Sequence, residues 1–212
     1  MTTKLPVFFQ GVGTTVELAL CTAIFGTLLG IVVALLRMSR VKLLKVLAGA
    51  YIEFLRGTPL LVQVLIVFYG LPQMGVKLPR MTAGTVALVI NSAAYMAEIV
   101  RSGIQAIDGG QTEASRSLGM NGAQTMIYII LPQAIKNILP AIGNEFVSII
   151  KESSILYTIG IYELTYQANK LASTNFRYLE TLTISALIYF VLTFTASLLL
   201  GMLERRMRRG DR

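Results

Sequence analysis

The chain has 212 residues, 54% of them hydrophobic and only 14% charged, with a formal net charge of +8. That charged share is well below the roughly 25% of an ordinary soluble domain, so the surplus of apolar residues points to a bilayer. With no His and a single Cys (Cys21, inside an apolar run), His-dependent triads, His or Cys-rich metal sites and an intrachain disulfide are all excluded.

A membrane-crossing helix needs about 20 mostly apolar residues. The first residues, MTTKLPVFFQGVGTTVE, carry no convincing cleavage site and do not read as a signal peptide. Leu18–Leu36 is an uncharged run and the first expected span; Gly26 and Gly30, spaced GxxxG, read as its packing face. Gly57–Val76 is the second, with Pro59 and Pro72 near its ends. Met81–Ala97 is the third. The region from Ile127 to Ile161 is apolar but holds Lys136, Glu145, Lys151 and Glu152, and is interrupted by Pro132, Pro140, Gly143 and Gly160. It is expected to give a span over Gln133–Lys151 and a short re-entrant piece over Ser153–Tyr166. Thr181–Leu203 is the last. The fold class expected is therefore an all-α membrane protein of about five transmembrane helices, a single domain over residues 1–212 without an internal repeat.

Five spans place the termini on opposite sides. Arg37, Arg40, Lys42, Lys45, Arg101, Arg116 and the five Arg of the tail ERRMRRGDR would share one face. Lys4, Lys77, Arg80, Lys170 and Arg177 would share the other. The positive-inside rule makes the richer face cytoplasmic, with the N-terminus outside. Cations at span ends fit topology better than a nucleic-acid surface, so no nucleic-acid partner is expected.

The loop at about 102–128 then lies in the cytoplasm. Within it, Glu113–Ala123 reads as a short helix capped by Asp108 or Thr112, with Glu113 and Arg116 at i and i+3. Gly119 would let a partner backbone approach, and Leu118 and Met120 would offer apolar knobs. A polar helix on the inner face suits the docking of a soluble motor.

The pattern formed by Glu113, Ala114, Gly119, Ile129, Leu131 and Pro132 resembles the EAA loop of binding-protein-dependent ABC importers, with Ser115 at the third position. YIEFLRGTPLLVQ (Tyr51–Gln63), AYMAEIVRSGIQAI (Ala94–Ile107), GQTEASRSLGM (Gly110–Met120) and LPQAIKNILPAIGNEFVSIIKESSI (Leu131–Ile155) are similar to permease subunits of the polar amino acid type (histidine, glutamine or arginine). The resemblance runs from about Gly11 to Arg206. It implies a type I importer permease with a cytoplasmic coupling helix, in a bacterial plasma membrane. It also implies a second permease subunit (a copy or a sister chain), an external amino acid binding protein, and a separate ATPase holding ATP and magnesium. Glu113, Ala114, Arg116, Leu118, Gly119 and Met120 would carry the coupling. In agreement, the chain has no G-x-x-x-x-G-K-[ST] phosphate loop, so no catalytic residue and no bound cofactor of its own is expected.

For the cargo, an ionisable group at membrane depth is costly unless paired or functional. Glu53, Glu98, Glu113, Glu180 and Glu204 each have an Arg at helical spacing (Arg56, Arg101, Arg116, Arg177, Arg208); Glu17, Glu145, Glu152 and Glu163 have none. Glu17 reads as hydrated, and Glu145 and Glu152 as a structural or gating pair around Lys151. Glu163 is the candidate counter-ion, balanced against an outer-surface role; as a counter-ion it would favour a basic amino acid. Asn91, Tyr95, Gln63 and Tyr157 are the further substrate-binding candidates, though polar groups in spans more often serve helix packing. A gradient-driven secondary transporter and a purely structural membrane subunit are the alternative readings.

Overall fold

A computed structural model describes residues 5–208, with side chains described for 6–206. Lys4 and the tail beyond Arg208 lie outside this range, as does the side chain of Arg208, so the expected Glu204–Arg208 pair does too. The described chain is helical throughout. Helix α1 (Leu5–Arg37) is followed by α2 (Lys42–Gly57), α3 (Leu60–Leu65), a π turn (Ile66–Gly70) and α4 (Leu71–Gln73). Then come α5 (Arg80–Gln105), α6 (Gly109–Ser117), α7 (Gly122–Gln124), a second π turn (Thr125–Ile130) and α8 (Leu131–Glu152). A 3-10 turn (Ser153–Ile159), α9 (Leu164–Asn175) and α10 (Tyr178–Arg208) complete it. Among the described residues, four helices are long and apolar enough to cross a membrane, or five when the bent pair Lys42–Gly57 and Leu60–Gln73 counts as one.

The spans outgrow their sequence estimates because flanking polar residues continue the helix past the apolar run. α1 begins at Leu5, not Leu18. The expected second span, Gly57–Val76, is instead the second half of a broken element. Its other half is α2, and the two meet at 108°. The sequence reading left α2 in a loop because Lys42, Lys45, Glu53 and Arg56 interrupt any apolar run. Yet α2 enters the bundle: Ala48, Ile52 and Leu55 are buried, and the Tyr51 hydroxyl donates to the Ile90 carbonyl at 2.6 Å. Pro59 is the N-cap of α3, where its missing N–H costs nothing.

The centre of the bundle is the α1–α5 seam. A Cβ on Gly26 would lie 2.9 Å from Ser92 Oγ, and one on Gly30 would lie 2.5 Å from Met96 Cβ, so the GxxxG stripe is a close-packing face. The pairing Gly26–Ser92 and Gly30–Met96 makes α1 and α5 run the same way. Arg37 and Arg101 therefore share one end of the bundle, where Arg37 Nη1 also donates to the Lys45 carbonyl. α8 returns from that end, with Ile138 filling the notch left by Gly103. α10 packs on α8, where Leu200 meets Gly143.

The expected re-entrant piece is a 3-10 turn ended by Gly160 in the left-handed region (φ 76°), held by Arg80 Nη1 donating to its carbonyl at 3.0 Å. A further helix, α9, follows and had no sequence counterpart. It packs between α1 and α10, close enough that a Cβ on Gly11 would meet Leu164 Cα at 2.8 Å. Pro132 is the second residue of α8, where the π turn passes into it, and Pro140 lies inside α8 without ending it, so residues 122–159 form a single helical run through both.

Candidate functional site

The first candidate lies at the end of the bundle shared by Arg37 and Arg101. α6 starts earlier than the sequence suggested, at Gly109. Asp108 is the cap, its Oδ1 accepting from the Gly110 N–H at 2.6 Å. The helix ends in a Schellman motif: Gly119 N–H donates to the Arg116 carbonyl and Met120 N–H to the Ser115 carbonyl. Gly119 has φ +85° and open space around it. Its requirement is thus first conformational, and the room for a partner is a second property of the same position. Arg116 donates to the Met120 carbonyl at 3.0 Å and does not pair with the exposed Glu113 as the spacing suggested. Glu113 and Ala114 lie on the exposed face. Leu118 is 85% exposed, touching almost nothing of its own chain.

The opposite face of α6 is fastened. Ser115 is buried, and its Oγ donates to Thr125 Oγ1 at 3.1 Å, at the root of the run leading into α8. Gln133 Nε2 reaches Gln111 Oε1 at 3.5 Å. A reciprocal capping box between Asn121 and Gln124 fixes the corner between α6 and that run. α6 thus presents an apolar tip outward while its back is tied to a spanning helix. The sequence identified the exposed face but not Thr125.

The second candidate is the polar lining within the bundle. Gln63 and Asn91 do come together, but on each other and on backbone. Gln63 Nε2 donates to the Leu55 carbonyl at 2.8 Å and to the Thr58 carbonyl at 3.1 Å, while Asn91 Nδ2 donates to Gln63 Oε1 at 2.9 Å. They close the break between α2 and α3, where the last carbonyls of α2 would otherwise face a membrane interior unpaired. Their substrate-binding assignment gives way to this task. Tyr95 is half-buried with the Arg56 guanidinium 5.5 Å from its ring centre, so Arg56 stacks on Tyr95 and makes no pair with Glu53. Tyr157 is 43% exposed on the 3-10 turn, apart from that network.

Glu163 is corrected as well. It is fully buried and is the N-cap of α9: Oε1 accepts from Tyr166 N–H at 2.7 Å, and Oε2 from Thr165 N–H at 2.8 Å and the Tyr189 hydroxyl at 2.7 Å. Burial raises its carboxyl above the ordinary range against the pull of these donors. A carboxylate with every oxygen engaged and no exposure has no free face for a cargo. Glu98–Arg101 and Glu180–Arg177 form the pairs that their spacing suggested.

The acids left without such partners are Glu145 and Glu152. They stand seven residues apart on one stripe of α8, both half-buried, and among the described residues neither makes a hydrogen bond or an ion pair. Sequence reasoning set them aside as a structural or gating pair flanking Lys151, in a stretch that carries the family resemblance. On the helix, however, Lys151 is 100° from Glu152 and is exposed. No group of acids, Cys or His among the described residues could hold a metal.

The sequence profile of a family described as the inner membrane component of binding-protein-dependent transport systems matches residues 26–209. The chain is 40% identical to the arginine transport system permease protein ArtQ of Bacillus subtilis (strain 168), covering 98% of this chain and 95% of that one. It is 42% identical to the probable glutamine ABC transporter permease protein GlnM of the same organism, covering 86% and 84%. A crystal structure of an amino acid ABC transporter with histidines superposes with a TM-score of 0.94 at 52% identity, covering 97% of this chain and 96% of that one.

Proposed function

Because the chain belongs to the family of inner membrane components of binding-protein-dependent transport systems, as a permease of the amino acid ABC importer type, we propose that it docks a separate ATPase through α6 and carries a basic amino acid inward. The observation that supports docking is the exposure of Leu118 at the tip of a helix whose back is tied to α8 through Ser115 and Thr125. ATP and magnesium would be held by that ATPase. A second permease subunit and an extracytoplasmic binding protein would complete the importer in a bacterial plasma membrane. The end carrying Arg37, Arg101 and α6 would be cytoplasmic by the positive-inside rule, leaving the N-terminus outside.

The basic cargo is supported by Glu145 and Glu152. Two half-buried carboxylates on a spanning helix with no ion pair of their own are costly, and a cationic cargo would relieve that cost while it binds. ATP touches no cargo, so the two ends must communicate through an element with two arrangements, and the α6–α8 connection is the candidate.

The test is co-purification with an amino acid importer ATPase, comparing wild type with Leu118→Glu. Gly119→Trp is a poorer probe, since a bulky residue at φ +85° strains the turn itself. Loss of the ATPase from a folded Leu118→Glu permease supports docking. Failure of the wild type to retain any such ATPase would return the gradient-driven and purely structural readings to the front.

A further inference from the structure

Helices α1, α8 and α10 enclose a cavity of about 630 Å³. Its volume falls in the range that holds a small hydrophobic ligand. Ile24, Leu139, Phe146 and Leu200 line it, and Glu204 and Arg206 stand at its rim. Ile24 is 57% and Leu203 58% exposed, so its edge continues into the hydrocarbon-facing surface of α1 and α10. The cavity involves the first half of α8 and the last turns of α10, which places it in the half of the bundle that carries α6.

The rim is cationic. Arg206 lines the rim and is exposed; Arg205, next to it, is exposed too, and its Nε donates to the Gly201 carbonyl one turn back. Glu204, at the same rim, is already engaged. An apolar slot that ends at two exposed arginines in the last turns of α10 matches an acyl chain beneath a phosphate. A copy of this chain would bring another net charge of +8 to the same place.

We propose that this cavity is a binding site for an anionic phospholipid of the leaflet on the α6 side, with one acyl chain in the slot and the phosphate against Arg205 and Arg206. The permease reading enters only in making that leaflet the cytoplasmic one, where anionic lipid and basic juxtamembrane residues attract.

The experiment reconstitutes the full chain with its ATPase into nanodiscs of equal phosphatidylglycerol and phosphatidylcholine, then counts retained lipids by native mass spectrometry. Wild type should retain phosphatidylglycerol in preference. Arg205→Gln with Arg206→Gln should weaken that preference by about fivefold per arginine. Ser197→Phe, which fills the slot from α10, should lose both lipids while the thermal transition and ATPase stimulation stay unchanged. Equal retention of the two lipids by wild type overturns the proposal, as does unchanged retention in both variants. A disulfide between copies of Ser197→Cys, made in a Cys21→Ser background, overturns it in favour of a second copy as occupant. Loss of the ATPase during purification would bear on the permease reading alone, since lipid retention is read on the chain itself.

Discussion

Tyr189, in the middle of α10, donates its hydroxyl to Glu163 Oε2 at 2.7 Å, and so fastens the last spanning helix to the cap of α9. Thr165 Oγ1 lies 3.1 Å from the same hydroxyl, and Thr15 Oγ1 accepts from the Leu164 N–H at 3.2 Å, so α1, α9 and α10 meet at one buried polar knot.

Tyr189→Phe should therefore destabilise the folded permease by about 1–3 kcal/mol, the cost of leaving a buried acceptor short of a donor. Thermal unfolding in detergent measures it. The raised carboxyl of Glu163 means that the folded state holds this proton more tightly than the unfolded chain does. Its contribution is present at low pH and declines as pH climbs past the ordinary carboxylate range. Glu163→Gln should flatten that slope. It should also reduce uptake of basic and neutral cargo alike; selective loss of basic cargo would restore Glu163 as a counter-ion.

Glu145→Gln and Glu152→Gln should act in the opposite manner. Competition assays with arginine and glutamine should show the arginine preference falling, with stability held or raised, since a carboxylate without an ion pair loses no hydrogen bond and the amide removes a costly half-buried charge. An unchanged ratio in both variants would remove these residues from cargo recognition.

Gln63→Leu should strip the donor from the Thr58 carbonyl and the shorter donor from the Leu55 carbonyl, and leave Asn91 with only its 3.4 Å contact to Leu55. A loss of about 1–3 kcal/mol per stranded group is expected. Asn91→Leu, which strands only Gln63 Oε1 and a longer contact to Leu55, should cost less. If the thermal transitions rank the other way, the pair is not closing the break between α2 and α3.

Gly30→Ala places a methyl group 2.5 Å from Met96 Cβ and 3.0 Å from the Ala93 carbonyl oxygen. Overpacking of about 1–3 kcal/mol should follow, visible as reduced yield of folded protein. Gly13→Ala, on the same helix with nothing within 4 Å, is the matched control and should be neutral.

At the docking end, Gly119→Ala should weaken the turn after α6, whereas Gly119→Asn should be tolerated better because Asn accepts the left-handed region. Leu118→Glu should leave the thermal transition where it is. A shift as large as that of Gly119→Ala would mean that Leu118 has a structural role.

Long uncharged runs were readable because a bilayer demands them: α1, α5 and α10 all follow from hydropathy. The GxxxG stripe and the exposed face of α6 followed from spacing. α2 and α9 were not readable, since both are amphipathic or polar and owe their place to neighbours, through Tyr51 on Ile90 and Gly11 on Leu164. The same limit explains Glu163. A sequence shows that an acid lacks a local Arg, but not that a helix start and a tyrosine 26 residues away will supply its donors. Glu145 and Glu152 were obscured for the converse reason, because Lys151 between them in sequence suggested a pair that the helix does not form.

Both π turns are followed by Leu-Pro: Ile66–Gly70 by Leu71 and Pro72, Thr125–Ile130 by Leu131 and Pro132. A wider turn gives the proline ring room, so the helix need not break there. From Gly122 to Ile159 the chain is therefore a single lever with α6 tied to its short arm at Thr125. The 22 residues of α8 alone span about 33 Å at about 1.5 Å per residue. At that length a tilt of about 5° carries the far end by about 3 Å, the width of one water molecule.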